Sequence, residues 1–302
     1  MGTKVICNNA PLAFYDSKDG QNHRKDYAFG NVFPLLAPLG WIPPFQFVIK
    51  LDRKQPAGDV PLFIEESELC RLSDDKAFYC YGMRQNMKAH TSGDGYATVY
   101  YPGGYETLQT KQHEEGRFYL GVGLSYYDED GEEIYVGYLC SEVFCMSADT
   151  QGWMRIDYRN TEPLDLAAGQ VLFPSAFTLY LDTQPGRPKY VFEEEVSERM
   201  GYAFVESQMS KKTYNFTALA PEYLCDAMRL IRLCDRRTVE SMGRVYNLSS
   251  FDMDVSWEEQ GDVASLSCSF DTDTVVCNVG GYVPESALRR MGFTDDFNND
   301  FN

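Results

Sequence analysis

Phe118-Tyr-Leu-Gly-Val-Gly-Leu-Ser-Tyr126, then Asp128-Glu-Asp-Gly131, then Ile134-Tyr-Val-Gly-Tyr-Leu-Cys140: this stretch decides the fold class. Phe118, Leu120, Val122, Leu124 and Tyr126 occupy alternate positions, with Gly121, Gly123 and Ser125 between them. Period-two alternation marks a strand with one apolar face. The alternation resumes at Ile134, Val136, Tyr138 and Cys140, and the Asp-Gly step between two such runs predicts a hairpin. The glycines make the other face flat, which lets a further layer or chain approach closely.

Outward from this hairpin the strand signals continue. Phe45–Leu51, Val60–Ile64, Ala77–Gly82 and Tyr96–Tyr101 precede it, with a turn at Pro102-Gly-Gly104. Strands are expected again over 153–158, over 171–181 with a break at Pro174, over 189–192 and 201–207, and more weakly over 212–216. Phe251, Met253, Val255 and Trp257 alternate with polar residues, as do Ala264, Leu266, Cys268 and Phe270, and then Val275, Cys277 and Val279. One helix is expected, about 221–236. Pro221 suits its first position and Glu222 its positive end, while Leu224, Ala227, Met228, Ile231 and Cys234 form an apolar stripe. A lone amphipathic helix among strands is expected to lid a sheet.

The reading is a mainly β chain with two β-sandwich or barrel-like domains, residues 44–148 and 149–283, the second carrying that helix. An extended N-terminal arm, 1–43, is broken by Pro34, Pro38 and Pro43. Between and beside these prolines lie Leu35, Leu36, Leu39 and Trp41. Such an arm packs along its own domain or reaches to a neighbouring subunit, and these four residues are its candidate partner contacts. The tail, 284–302, opens with a helical turn or two ended by Gly292 and supplies two further candidates, Phe297 and Phe301.

Composition narrows the function classes. The 302 residues carry a formal charge of −18, with no Lys/Arg-rich run, which disfavours direct binding of nucleic acid or anionic membrane. Tyr and Phe, 21 and 19 of them, suit half-buried pleated sheets. Nine cysteines without a secretory signal predict reduced thiols. No apolar run approaches the ~20 residues of a membrane helix.

Chemistry-bearing motifs are not evident. The cysteines lack C-x-x-C spacing and the three histidines, His23, His90 and His113, are scattered, so no metal is expected. No G-x-S-x-G elbow and no phosphate-binding glycine loop occurs, so neither a catalytic residue nor a cofactor is expected. Asp128–Glu133 is rich in oxygen ligands but reads as a hairpin turn, since the calcium-loop spacing is missing. A Tyr-rich β protein with 45 acidic residues keeps two other readings open: a carbohydrate- or receptor-binding protein, and a glycoside hydrolase with paired carboxylates.

Several segments carry a family resemblance: Arg187-Pro-Lys-Tyr190, Gly201 onward into Ser210-Lys-Lys-Thr-Tyr214, Ala220-Pro-Glu-Tyr-Leu-Cys-Asp-Ala-Met228 and Trp257-Glu-Glu-Gln-Gly-Asp262, with Pro44-Phe-Gln-Phe47 and Tyr138–Phe144 in the first half. Spread over about 44–280, they resemble tail, neck and baseplate proteins of phages of gut Bacteroides, crAss-like and related. The resemblance implies a virion structural protein of β-sandwich domains, made in the host cytoplasm. Its implied partners are its own copies, as a homo-oligomeric ring, and other virion proteins. It brings no catalytic residue with it. The arm 1–43 and the tail 293–302 are then expected to make inter-subunit contacts.

Overall fold

The computed structural model describes residues 5–8, 10–16, 34–51, 57–59, 62–74, 76–80, 82–91, 93, 95–105, 114–128, 130–162, 164–165, 171–172, 176–199, 201–257 and 263–279. The chain is mainly β. The first half contributes β1 (Val5–Asn8), β2 (Phe14–Asp16), β3 (Leu35–Pro38), β4 (Trp41–Ile42), β5 (Phe45–Lys50), β6 (Gly58–Asp59), β7 (Leu62–Arg71), β8 (Ala77–Tyr79), the single-turn helix α1 (Met83–Asn86), β9 (Lys88–Thr91), β10 (Tyr96–Tyr101), β11 (Gly104–Tyr105), β12 (Gly116–Tyr127), β13 (Glu133–Ser141) and β14 (Phe144–Ser147). The second half follows with β15 (Met154–Arg159), β16 (Leu164–Asp165), β17 (Val171–Leu172), β18 (Phe177–Leu181), β19 (Lys189–Arg199), β20 (Tyr202–Pro221), α2 (Glu222–Arg229), β21 (Arg236–Ser241), β22 (Arg244–Trp257), β23 (Val263–Thr272) and β24 (Val276–Val279).

The hairpin expected over 118–140 forms as β12 and β13, paired from Gly121 opposite Cys140 to Tyr127 opposite Glu133. Its turn is closed by the Asp128 carboxylate, which accepts the backbone N–H groups of Asp130 and Glu132, and Gly131 takes the positive φ of 79° that the turn requires. The flat face expected at Gly121 is not open to another chain. Tyr138 lies across it, its ring meeting the place where a Gly121 side chain would begin, and its hydroxyl donates to Glu68 at 3.1 Å.

The longest ladder runs β19-β20-β23-β22-β21-β15-β18-β3-β14-β12-β13-β2, with β24 added to β20 and β7 to β12. It passes from one half of the chain to the other through β3. That short strand pairs parallel with β14, Leu35 opposite Phe144, and antiparallel with β18, Leu36 opposite Tyr180. The proline-flanked arm is thus the seam of the molecule. A second sheet, β1-β5-β10-β9-β6, covers the first half. Phe14, Phe45, Phe47 and Tyr101 are fully buried there, with ring centroids 4.7–5.8 Å apart, and join Leu120, Val122 and Leu124 in the core. Each such side chain stabilises the fold by about 1.5–3 kcal/mol through burial.

In the second half the connection between β18 and β19 lies along β20. Gly186 N–H donates to Asn215 O at 2.8 Å and the Thr183 hydroxyl to Thr217 O at 2.8 Å. The helix α2 packs on β20 and β23, with Leu224, Ala227 and Met228 buried, followed by Ile231 in a 3-10 turn, Leu230–Leu233. The helix is shorter than the expected 221–236. Pro221 precedes it as the N-cap and ends β20. The chain turns extended at Cys234 so that Arg236–Ser241 can pair with β15, a strand the helical stripe masked. Tyr223 ties the helix to the seam: its hydroxyl accepts the Leu35 N–H at 3.2 Å.

The weak and separate strand signals over 189–216 resolve into two long strands. β19 spans 11 residues and β20 spans 20, paired from Lys189 opposite Thr213 to Arg199 opposite Tyr202.

Candidate interaction surface

β20 carries one face through two environments. Near its C-terminal end Phe216, Ala218 and Ala220 point inward, and Phe216 and Ala220 are buried in the core with Phe270, Phe251 and Ala264. Tyr214 follows, stacked on Phe270 at 5.4 Å and beside Tyr246 at 4.9 Å. Burial, aided by Tyr246 and Tyr190, raises the Tyr214 hydroxyl above its ordinary value.

Beyond Tyr214 the same face leaves the body. Directly opposed residues share a face. Tyr190 is opposite Lys212, and Phe192 is opposite Ser210, which in turn is opposite Val276 of β24. Tyr190, Phe192 and Val276 are 58%, 70% and 71% exposed. A stripe that is core in the body therefore runs on into solvent along a three-stranded ribbon, β19-β20-β24. Lys212 stands over the Tyr190 ring at 5.9 Å. The other face is polar at its centre. Lys211 Nζ bonds Glu193 at 2.9 Å, which raises the lysine's pKa, and Met209 lies between Glu193 and Cys277. Val196 and Val205, opposite each other across the bulge that follows Glu195, add exposed apolar surface.

Six exposed large apolar side chains lie on this ribbon: Tyr190, Phe192 and Val276 on the stripe, Val191 on the opposite face, and Val196 and Val205 past the bulge. Scattered single apolar residues are ordinary on a surface, whereas the row Tyr190, Phe192 and Val276 leaves one face of the ribbon apolar and uncovered. The outer strand β19 carries Glu193, Glu194, Glu195 and Glu198 along its open edge. Two copies pairing antiparallel edge to edge would set these carboxylates against each other, so the edge is guarded while the face stays available.

The residues singled out from sequence lie elsewhere. Leu35 and Trp41 are 1% and 7% exposed and belong to this chain's own core. Leu36 and Leu39 are half-buried, Leu39 against the core and Leu36 in the wall of a 400 Å³ cleft shared with Tyr180, Asp182, Leu219 and Leu224. Phe297 and Phe301 lie outside the described residues, as does the helical turn expected at 284–292. Strands are expected from sequence over 189–192, 201–207 and 275–279, but the ribbon they build is not recognisable there as a surface because its polar residues occupy both faces. The exposed run Tyr190-Val-Phe192 was its one available signal.

Among the described residues no group of three or more His, Cys, Asp and Glu is placed to hold a metal ion, and Cys70, Cys80, Cys140, Cys145, Cys225, Cys234, Cys268 and Cys277 are free thiols. Asp182 is the one carboxylate among the described residues lining the 400 Å³ cleft, where glycoside hydrolysis calls for two. No protein-family model matches the chain, and no curated protein is similar to it.

Proposed function

We propose that this chain is a structural component of a phage particle, in its tail, neck or baseplate, acting through protein–protein contacts. It is made in the host cytoplasm and carried in the virion as a homo-oligomer, in ring form, in contact with other virion proteins. It works without metal or cofactor. In this reading the two halves are β-sandwich or barrel-like units, joined at β3 and plugged by α2.

The observation that carries the reading is the uncovered stripe Tyr190–Phe192–Val276, continuous with a core face and raised on a ribbon. An acidic ribbon edge and an apolar face suit a partner that covers the face and leaves the edge wet. The arm adds to the reading through Leu36 and Leu39 only. Removing residues 1–43 takes away buried Leu12, Phe14, Leu35 and Trp41 and is a test of folding.

Sedimentation velocity of the full chain, with and without Phe192→Asp plus Val276→Asp, tests the proposal. Oligomers that revert to monomer in the double variant support it. A wild-type chain that stays monomeric at all concentrations, and that is absent from purified particles by immunogold microscopy, overturns it. A carbohydrate- or receptor-binding role is the second reading, favoured by a separate cluster of aromatic residues.

A further inference from the structure

Two of the chain's three tryptophans, Trp41 and Trp153, meet at Tyr180. Trp41 stands edge-on to Tyr180 at 5.3 Å, and Trp153 lies at 6.1 Å with its ring tilted by 56°. Trp41 belongs to β4, whose partner strand β11 brings Tyr105 opposite it. Tyr105 is 74% exposed, and Trp153 and Tyr180 are half-exposed. Rings therefore reach this place from two directions: Trp153 and Tyr180 from the sheet, Trp41 and Tyr105 from the two-stranded β4–β11 ribbon above it.

The sheet beside these rings is polar. Glu240, Arg155 and Tyr180 are successive neighbours across β21, β15 and β18, with Asp157 two residues along β15. Arg155 Nε bonds Asp157 at 3.0 Å, and its guanidinium lies 3.8 Å from Glu240. All three charged side chains keep solvent access. Burial, with Tyr105, Asp157 and Glu240 close by, raises the Tyr180 hydroxyl, against the opposing pull of Arg155. Asp182 continues the row toward the 400 Å³ cleft that Tyr180 also lines.

We infer that this aromatic and charged surface patch is a binding site for a neutral pyranose glycan, held by Tyr105, Trp153 and Tyr180 through the apolar faces of its sugar rings and by Arg155, Asp157 and Glu240 through its hydroxyls. An amphipathic ring suits each half of that chemistry. The C–H face of a pyranose needs a half-exposed aromatic, and its hydroxyls need acceptors and a fixed donor held in place. Glu240 accepts, joined by the lone pairs that Asp157 keeps beside its bonds from Arg155 and the Thr178 hydroxyl, while Arg155, oriented by Asp157, donates. An anionic ligand is opposed by the two carboxylates. A fully apolar ligand would leave the charged row without its water. No residue of the β19-β20-β24 ribbon takes part, so the inference stands apart from the assembly reading and fails or holds independently of it.

Isothermal titration calorimetry of the full chain with cello-, malto-, manno-, xylo- and galacto-oligosaccharides tests it. The expected result is saturable binding of at least one of the five, with a Kd of about 1 mM or tighter. Tyr105→Ala and Trp153→Ala then weaken that binding at least tenfold, and tryptophan emission shifts on saturation in the wild type. Tyr105 is exposed, so Tyr105→Ala keeps the fold and carries the test if Trp153→Ala does not fold. No saturable heat with any of the five sugars, or binding that Tyr105→Ala leaves unchanged, overturns the inference.

Discussion

A single strand holds the contrast that organises this molecule. From Thr213 to Pro221, β20 is paired with β23, and its inward residues are sealed by Phe270, Leu266 and Ala264. From Tyr202 to Lys212 the same strand keeps its hydrogen-bonded partners, β19 and β24, but one face has no covering layer. Both parts lie in backbone ladders, 213–221 with β23 and 202–213 with β19, joined by β24 at 207–210. What differs is side-chain burial, and burial is what turns a paired ribbon into a stable layer. The outer part of β20 is therefore held by the body and left with apolar surface in solvent.

The contrast is broken most strongly by truncating the two ends of the stripe. Phe270→Ala, in the body, is expected to cost about 3–5 kcal/mol in urea unfolding. Phe192→Ala, on the ribbon, is expected to change stability by no more than about 0.5 kcal/mol while reducing self-association in sedimentation. A comparable loss of stability from both would mean that the ribbon face is covered within the chain.

A smaller effect is expected where a face that looks open is in fact occupied. Gly121→Ala drives a methyl group into Tyr138 and is expected to cost about 1–3 kcal/mol. Combined with Tyr138→Ala, which removes the obstacle, the loss is expected to fall short of the sum of the two single variants. Additive losses in that double-variant cycle would remove Tyr138 as the covering group.

Thiol chemistry sharpens the same comparison without changing stability. Cys277 lies exposed on the ribbon, whereas burial pushes the thiols of Cys234 and Cys268 up to about 12 and that of Cys225 up to about 11. An aromatic disulfide reagent at neutral pH is expected to modify Cys277 quickly and these three only as the chain unfolds. Equal rates would place the ribbon and the core in the same environment.

The smallest effect belongs to Asp235, which accepts the N–H and hydroxyl of Thr161 where β21 begins beside β15. The Thr161 hydroxyl bond, joined by that backbone N–H, holds the carboxylate below its ordinary 3.8. A depressed folded-state value means stability that is present above 3.8 and lost as pH falls toward the folded value. Asp235→Asn is expected to lower the melting temperature slightly at neutral pH, where the ionised carboxylate contributes, and to change it little below the folded-state value, so that the acid part of the profile flattens.

Much of the fold was legible because alternation and turn chemistry are local. The β12–β13 hairpin, β5, β10, β15 and β23 all follow period-two runs, and Gly131 and Asp128 close the turn that their residue types demand. Two things were not local. The arm reads as an appendage because prolines interrupt it, yet Leu35–Pro38 finds its partners more than a hundred residues away, in β14 and β18. The ribbon reads as short separate strands, 189–192 and 201–207, because its exposed faces mix Glu, Lys and Ser with Val and Phe. The aromatic patch was invisible for the same reason as the seam: Trp41, Tyr105, Trp153 and Tyr180 share no pattern until β4 and β18 are placed.

Hydrogen–deuterium exchange of residues 190–210, compared between isolated chain and purified assembly, tests the central claim most directly. Assembly is expected to slow exchange along the ribbon while leaving the already protected residues 216–220 as they were. Ribbon exchange that is unchanged on assembly, with new protection confined to other surfaces, would contradict the claim that this stripe waits for another chain.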